Sequence, residues 1–272
     1  MITLSSDFGS PYPAAMKGVL LRHVDTRLVD VSHDFPRQDI RACAFWLAEV
    51  LPEFPPAVHL VVVDPRVGTD RVALAVRAGN HALIGPDNGV VMPVARTLAD
   101  GDDIDVYRIV ERERTRNDKP ATSQPADEWP PAPASSTFHG RDVFAPAAAR
   151  VHQLGIDSFH TDVGFEPIDD YVEYRLPSPT IESDSATGEV LAIDEFGNVI
   201  TNIQGTVIDA LFGESVVVNG QSYPVRETYA RIERGNPLVT VGSHGNVELS
   251  VNQGRGNRAF DVSTDDDVRI SW

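Results

Sequence analysis

Val58-His59-Leu60-Val61-Val62-Val63-Asp64-Pro65-Arg66-Val67-Gly68-Thr69-Asp70-Arg71 is the stretch on which the fold turns. Its first six residues form a run that is apolar but for His59. Such a run suits a central parallel strand buried on both faces. The charged, proline- and glycine-bearing loop that follows leaves the carboxyl end of that strand, where open α/β sheets place their sites. Met1–Ser6 reads as another short strand. Pro13–Val24 carries Met16, Val19, Leu20 and Val24 at helical spacing. Leu28–Val31 is strand-like. Gln38–Val50 puts Ile40, Ala44 and Leu47 on one helical face, and Pro52 ends it. Val72–Val76 and His81–Ile84 predict a hairpin around Ala78-Gly79-Asn80. This alternation predicts an α/β N-terminal domain with a mainly parallel sheet, over residues 1–176.

Residues 111–135 interrupt the pattern with Pro120, Pro125, Pro130, Pro131 and Pro133 in a polar run, which predicts a surface insertion. Phe144–Leu154 reads as a helix returning to the domain. Residues 177–188 read as a linker. After it come short strands between turns such as Asn219-Gly220, predicting a smaller all-β C-terminal domain over residues 189–272.

The formal net charge of −17 opposes nucleic acid and anionic membranes as partners. Acidic residues number 40 against 23 basic ones, and only Lys17 and Lys119 of the latter are lysines. That imbalance reads as adaptation to a high-salt cytoplasm, where screening blunts self-repulsion. No apolar stretch approaches the ~20 residues that span a bilayer, and the N-terminus lacks a signal-peptide pattern, so a cytoplasmic protein is expected. The single cysteine, Cys43, sits in an apolar run and reads as a small buried side chain.

Polar groups gather at several predicted strand ends: Asp7-Phe8-Gly9, Asp64–Arg71, Pro86-Asp87-Asn88-Gly89, and Ser136-Thr137-Phe138-His139-Gly140-Arg141-Asp142 before a helix. In the second domain, Asp194-Glu195-Phe196-Gly197-Asn198 is a polar turn. Taken singly, these are turns, caps or, for Arg141 and Asp142, an ion pair. Converging on one sheet edge, the first four would supply carboxylates, a histidine and an arginine in one place.

Together with Val199-Ile200-Thr201-Asn202, these strings are similar in kind and order to the S-adenosylmethionine hydroxide adenosyltransferase family, which also includes the fluorinase and chlorinase. The resemblance runs from Ile2 to about Trp272, apart from the proline-rich insertion. It implies a homotrimer acting on a small molecule, with ligand between the N-terminal domain of one subunit and the C-terminal domain of its neighbour. It implies no metal and no cofactor, S-adenosylmethionine being the substrate. The family's hydroxide-using members carry an Asp–Arg–His set that maps onto Asp64, Arg71 and His139 as catalytic residues. By the same match, Asp7 binds the ribose hydroxyls, Phe138 and Asn198 line the nucleoside pocket with Tyr229 alongside, and Asn88 and Asp194 are among the substrate-binding residues. Ser243, Glu248 and Val251 lie at the methionine end. Arg66 stands where the family usually has Gly.

The implied reaction is attack of water or hydroxide at C5′, with methionine's thioether leaving, to give adenosine and methionine. Arg71 stays protonated and cannot be the base; His139 or Asp64 is the proton acceptor, and the sequence does not choose between them. The alternatives are a halogenase of the same family, disfavoured by the complete Asp64/Arg71/His139 set, and a non-catalytic protein that binds adenosine or S-adenosylmethionine. A third is a metal-dependent hydrolase using Asp7, Asp64, Asp87, His139 and Asp142.

Overall fold

A computed structural model describes residues 1–101, 103–113 and 129–272. The chain divides into two units, Met1–Arg175 and Leu176–Trp272.

The first unit is built on strands β1 (Ile2–Ser6), β2 (Leu28–Ser32), β3 (Val58–Val62), β4 (Ala73–Ala78), β5 (His81–Pro86), β6 (Ile104–Ile109) and β7 (Phe165–Pro167). They form one sheet in the order β2-β1-β3-β5-β4-β6-β7. β2, β1, β3 and β5 run parallel, whereas the pairings of β4 with β5, β4 with β6 and β6 with β7 are antiparallel. The sheet is therefore mixed, not mainly parallel. The β4–β5 hairpin, which the sequence signals at Ala78-Gly79-Asn80, reverses the chain. β6 and β7 then extend the edge beyond β4, and neither was anticipated.

Helices α1 (Tyr12–His23) and α4 (Ala145–Leu154) cover one face, burying Met16, Leu20, Ala148 and Val151 against Ile2, Leu4, Leu60 and Val62. The alternate residues Val61, Leu74, Val76 and Leu83 are buried toward the other face, as strand periodicity requires. Helices α2 (Ile40–Val50) and α3 (Met92–Ala99) pack on one another, and α3 also packs on β4. Asp39 caps α2 by accepting from Ala42 N at 2.9 Å. Cys43, within α2, is fully buried, and burial pushes its thiol up to about 12, so it behaves as an apolar side chain.

Of the predicted insertion, residues 114–128 lie outside the described residues. Its far end differs from a surface loop. Ala132 is buried, Trp129 packs on Phe165, and its indole N–H donates to Asp162 at 2.5 Å. A tryptophan supplies enough apolar surface to anchor a segment that its prolines alone would leave outside.

The second unit is antiparallel. Its strands are β8 (Thr180–Ile181), β9 (Ser185–Ile193), β10 (Val199–Gln204), β11 (Ser215–Val218), β12 (Gln221–Pro224), β13 (Pro237–Val241), β14 (Asn246–Val251) and β15 (Asp267–Ser271). They pair in the order β12-β11-β15-β9-β10-β14-β13, with β8 added on β9. A bridge between Val225 and Val239 brings the two ends of that path together, so the sheet nearly closes into a barrel around Val190, Val199, Val239 and Leu249. The stretch read as a linker, 177–188, holds β8 and the start of β9. Asn219 and Gly220 both take positive φ, 46° and 88°, between β11 and β12, as a two-residue hairpin turn requires. Among the described residues, no helix is long and apolar enough to cross a membrane.

His59, the polar residue of the central strand, is fully buried. Its Nδ1 lies 2.7 Å from Thr3 Oγ1 and its Nε2 2.9 Å from His81 Nδ1. Burial, with His81 adding to it, drives its pKa down to about 3. The folded state therefore resists a proton that the unfolded chain takes up near pH 6.5. Stability is complete above that value and is lost as pH falls from 6.5 toward 3, by about 1.4 kcal/mol per pH unit from this group alone. Melting temperatures measured from pH 7 to pH 4 should fall more steeply for the wild-type chain than for His59→Leu. Parallel curves would contradict the assignment.

Candidate active site

β3 ends in the middle of the sheet, and the chain leaves it as the loop 63–72. This loop folds back on itself through Val67 N→Asp64 O and Thr69 N→Arg66 O bonds of 3.3 and 3.2 Å. Gly68 adopts φ +83°, and a methyl group there would lie 2.6 Å from the Ser136 carbonyl oxygen, so the loop needs glycine to approach the segment that precedes His139. Arg66, the departure from the family pattern, is exposed.

The loop returns Arg71 to Asp64. The guanidinium grips the carboxylate with two bonds, Nε→Oδ1 at 2.5 Å and Nη2→Oδ2, and both side chains are buried. It lies 5.2 Å from the centre of the Phe144 ring. Nη2 also reaches His139 Nδ1 at 3.3 Å. A guanidinium has donors only. The lone pair facing it must therefore be on Nδ1, and the neutral imidazole carries its proton on Nε2.

His139 is held from its own segment. It caps a π-helical turn, Gly140–Phe144, that runs into α4, a form that recurs at functional sites. Gly140 makes that turn possible, since a methyl group on it would lie 2.9 Å from Met16 Sδ and 3.1 Å from Val62 Cγ1. Asp142 ties down the approach. Its Oδ2 accepts from Ala134 N and Ser135 N at 3.1 and 2.9 Å, and Arg141 Nε donates to its Oδ1 at 2.6 Å. Arg141 and Asp142 thus form the ion pair anticipated as their plain reading, and Arg141 also lies over the Phe138 ring.

Beside β3, β1 is followed at once by buried Asp7, whose Oδ2 accepts from Gln38 N at 2.7 Å. Phe8, Tyr12 and Phe138 form a mutual edge-to-face cluster with centroids 5.4–6.3 Å apart. Sequence reasoning missed Tyr12; at a helix start it carries no periodic signal, and Phe138 reaches it from a distant segment. Asp87 accepts from Val172 N at 2.8 Å, and its carboxyl is held above the ordinary value by burial, with Asp170 adding to this against Val172 and Arg71. Asn88 uses its amide on the backbone, donating to Val63 O at 2.8 Å and accepting from Val90 N at 3.1 Å. It fastens the turn beside β3.

The second unit carries the other predicted group. Asp194 accepts from Asn198 N and Asn198 Nδ2 at 2.8 and 2.9 Å, closing the turn and leaving Phe196 77 % exposed at its tip. On β14, Glu248 is buried. Its Oε1 accepts from Tyr229 OH at 2.5 Å and Ser250 Oγ at 2.7 Å, and its Oε2 lies 3.5 Å from His244 Nε2. Burial pushes the Glu248 carboxyl up, but His244, Tyr229 and Ser250 more than offset this and hold it below the ordinary value. Burial and this carboxylate together push the Tyr229 hydroxyl well up. Ser243 is exposed and Val251 buried. His244 and Ser250 were not anticipated; their partner is a buried carboxylate, which no spacing rule marks.

The first unit therefore brings Asp64, Arg71 and His139 into contact, with Asp7 just past the end of the neighbouring strand β1. The second brings Tyr229 to Glu248 and Asp194 to Asn198. Residues 2–159 match the SAM hydroxide adenosyltransferase N-terminal domain, and residues 188–269 match the C-terminal domain of the same family. The chain belongs to the SAM hydroxide adenosyltransferase family. It is 37% identical to an (R)-S-adenosyl-L-methionine hydrolase of Salinispora tropica, over 99% of this chain and 97% of that one. It is 39% identical to another of the same name from Thermus thermophilus, over 97% of each. Among solved structures it resembles an uncharacterized conserved protein from Thermotoga maritima, with a TM-score of 0.80 and 28% identity over 100% of both chains.

Asp142→Ala would leave two backbone N–H groups and Arg141 without their acceptor. A loss of about 2–4 kcal/mol in unfolding free energy by urea titration is expected. A loss below about 0.5 kcal/mol would show that Asp142 does not anchor the approach to His139.

Proposed function

We propose that this protein hydrolyses S-adenosyl-L-methionine to adenosine and L-methionine. The observation that carries the reading is the buried contact of Asp64, Arg71 and His139, in a chain whose near-full-length relatives bear the name of that activity.

In this reading Arg71 places a fixed positive charge beside the attacking water and lowers its pKa. His139, with Nδ1 turned to Arg71, offers its Nε2 proton to hold the water's oxygen. Asp64 keeps a second lone pair on each oxygen and accepts the proton. Hydroxide meeting a sulfonium loses charge toward the transition state, so apolar walls such as Phe8 and Phe138 favour the reaction. Asp7 binds the ribose hydroxyls, and Glu248 and Ser243 hold the methionine end. The reading includes a cytoplasmic homotrimer in which exposed Tyr12, Phe196 and Tyr229 meet a neighbouring chain, and an acidic surface suited to high salt. It needs no metal or cofactor.

Incubation with S-adenosylmethionine in concentrated non-halide salt with a chelator, followed by chromatography, tests it. Adenosine and methionine are the expected products. Asp64→Ala and His139→Ala should each reduce turnover by about 100-fold or more. Arg71→Lys should do likewise, because a point charge cannot hold both Asp64 oxygens and His139 at once. Full turnover in all three would refute the assignment. Chloride-dependent formation of 5′-chloroadenosine would transfer the chain to the halogenase branch.

A further inference from the structure

A second polar chain lies on the α1 side of the sheet, outside the Asp64–Arg71–His139 set. Ser6, the last residue of β1, places its Oγ 2.7 Å from His33 Nδ1. His33 Nε2 lies 3.0 Å from Asp30 Oδ1, and Lys17 of α1 donates to Asp30 Oδ2 at 2.6 Å. The chain runs from a fully buried residue to a surface pair, with the Lys17 and Asp30 side chains 32% and 45% exposed.

Chemistry fixes its direction. A carboxylate only accepts, so His33 Nε2 and Lys17 both donate to Asp30. The neutral imidazole then accepts at Nδ1, and Ser6 Oγ–H donates to it. Burial pushes the Asp30 carboxyl up, but Lys17 and His33 outweigh this and hold it below the ordinary value. Lysine suits this place in a chain whose cations are otherwise almost all arginine. One Asp30 oxygen already serves His33, so a single-point donor fits where a two-pronged guanidinium would compete.

The turn after β2 is bonded to the loop after β1 at three points. Besides the Ser6–His33 bond, Gly9 N donates to His33 O at 2.8 Å, and Gln38 N donates to Asp7 Oδ2 at 2.7 Å. Asp7 lies between the first two. Gly9 takes φ +61°, so the loop is sharply bent there and depends on such ties to keep one shape.

We propose that His33, locked by Asp30 and Lys17, is a positioning residue that fixes the Ser6–Gly9 loop and so aims the Asp7 carboxylate at the ribose hydroxyls. The inference rests on the nucleoside reading of Asp7 given above. His33 touches no substrate in this scheme; it acts through Ser6 and the Gly9 amide.

The test compares adenosine with 2′,3′-dideoxyadenosine in calorimetric binding to the full-length protein. Wild type should prefer adenosine by about 10–100-fold, the scale of hydrogen bonds to a charged acceptor. Asp7→Asn should remove most of that preference. His33→Ala should cut it by about tenfold, His33→Asn, which keeps an acceptor for Ser6, should restore part of it, and Lys17→Met should lower it two- to threefold. Wild-type preference retained in both His33→Ala and Lys17→Met, or retained in Lys17→Met where His33→Ala fails to fold, would overturn the proposal. So would equal weakening of both nucleosides with a lowered melting temperature, the mark of a purely structural tie. An unchanged preference in Asp7→Asn would instead overturn the reading of Asp7, and the proposal with it.

Discussion

The Arg71 guanidinium is the constraint around which the first unit's site is arranged. It is buried, always charged and able only to donate. Burying such a group is costly unless its donors are met. Asp64 meets two of them from the same loop, Val72 O lies near a third, and the Phe144 ring faces the guanidinium. His139 then has one orientation open to it, with Nδ1 toward Nη2. The loop 63–72, the π-helical turn and the start of α4 are thereby tied to one cation.

The sheet makes that arrangement possible. β3 is flanked by β1 and β5, so its carboxyl end lies between the loops that carry Asp7 and Asn88. Two glycines then let the segments close. Gly68 admits the Ser136 carbonyl, and Gly140 lets the π-helical turn settle on Val62 and Met16. Polar ties set the rest, with Asp142 on the backbone of 134–135 and Asn88 on the backbone of β3's exit.

The second unit surrounds its own buried carboxylate differently. The Glu248 side chain is as deeply buried as that of Asp64, yet the groups around its carboxylate are two hydroxyls and an imidazole, with no arginine or lysine among them. Hydroxyl donors satisfy a carboxylate without cancelling its charge, where a guanidinium partner would neutralise it.

The sequence alone determined the alternation of strands and helices around Val58–Val63, the β4–β5 hairpin, the Asn219-Gly220 turn and the segments that carry Asp64, Arg71 and His139. Each of these is local: hydrophobic period, turn chemistry and motif order are written in neighbouring residues. Asp64 and Arg71 were legible as parts of one polar loop at a strand end, and it was the resemblance to the family that singled them out as a pair. Tertiary structure alone decided the antiparallel half of the sheet, the packing of Trp129, the near-closure of the second sheet, and the placing of Tyr12, His244 and Ser250. It also chose the proton's place on His139 and assembled Ser6, His33, Asp30 and Lys17. These depend on which distant segments meet, and the free energy of burying and pairing their groups appears only once the chain has brought them together.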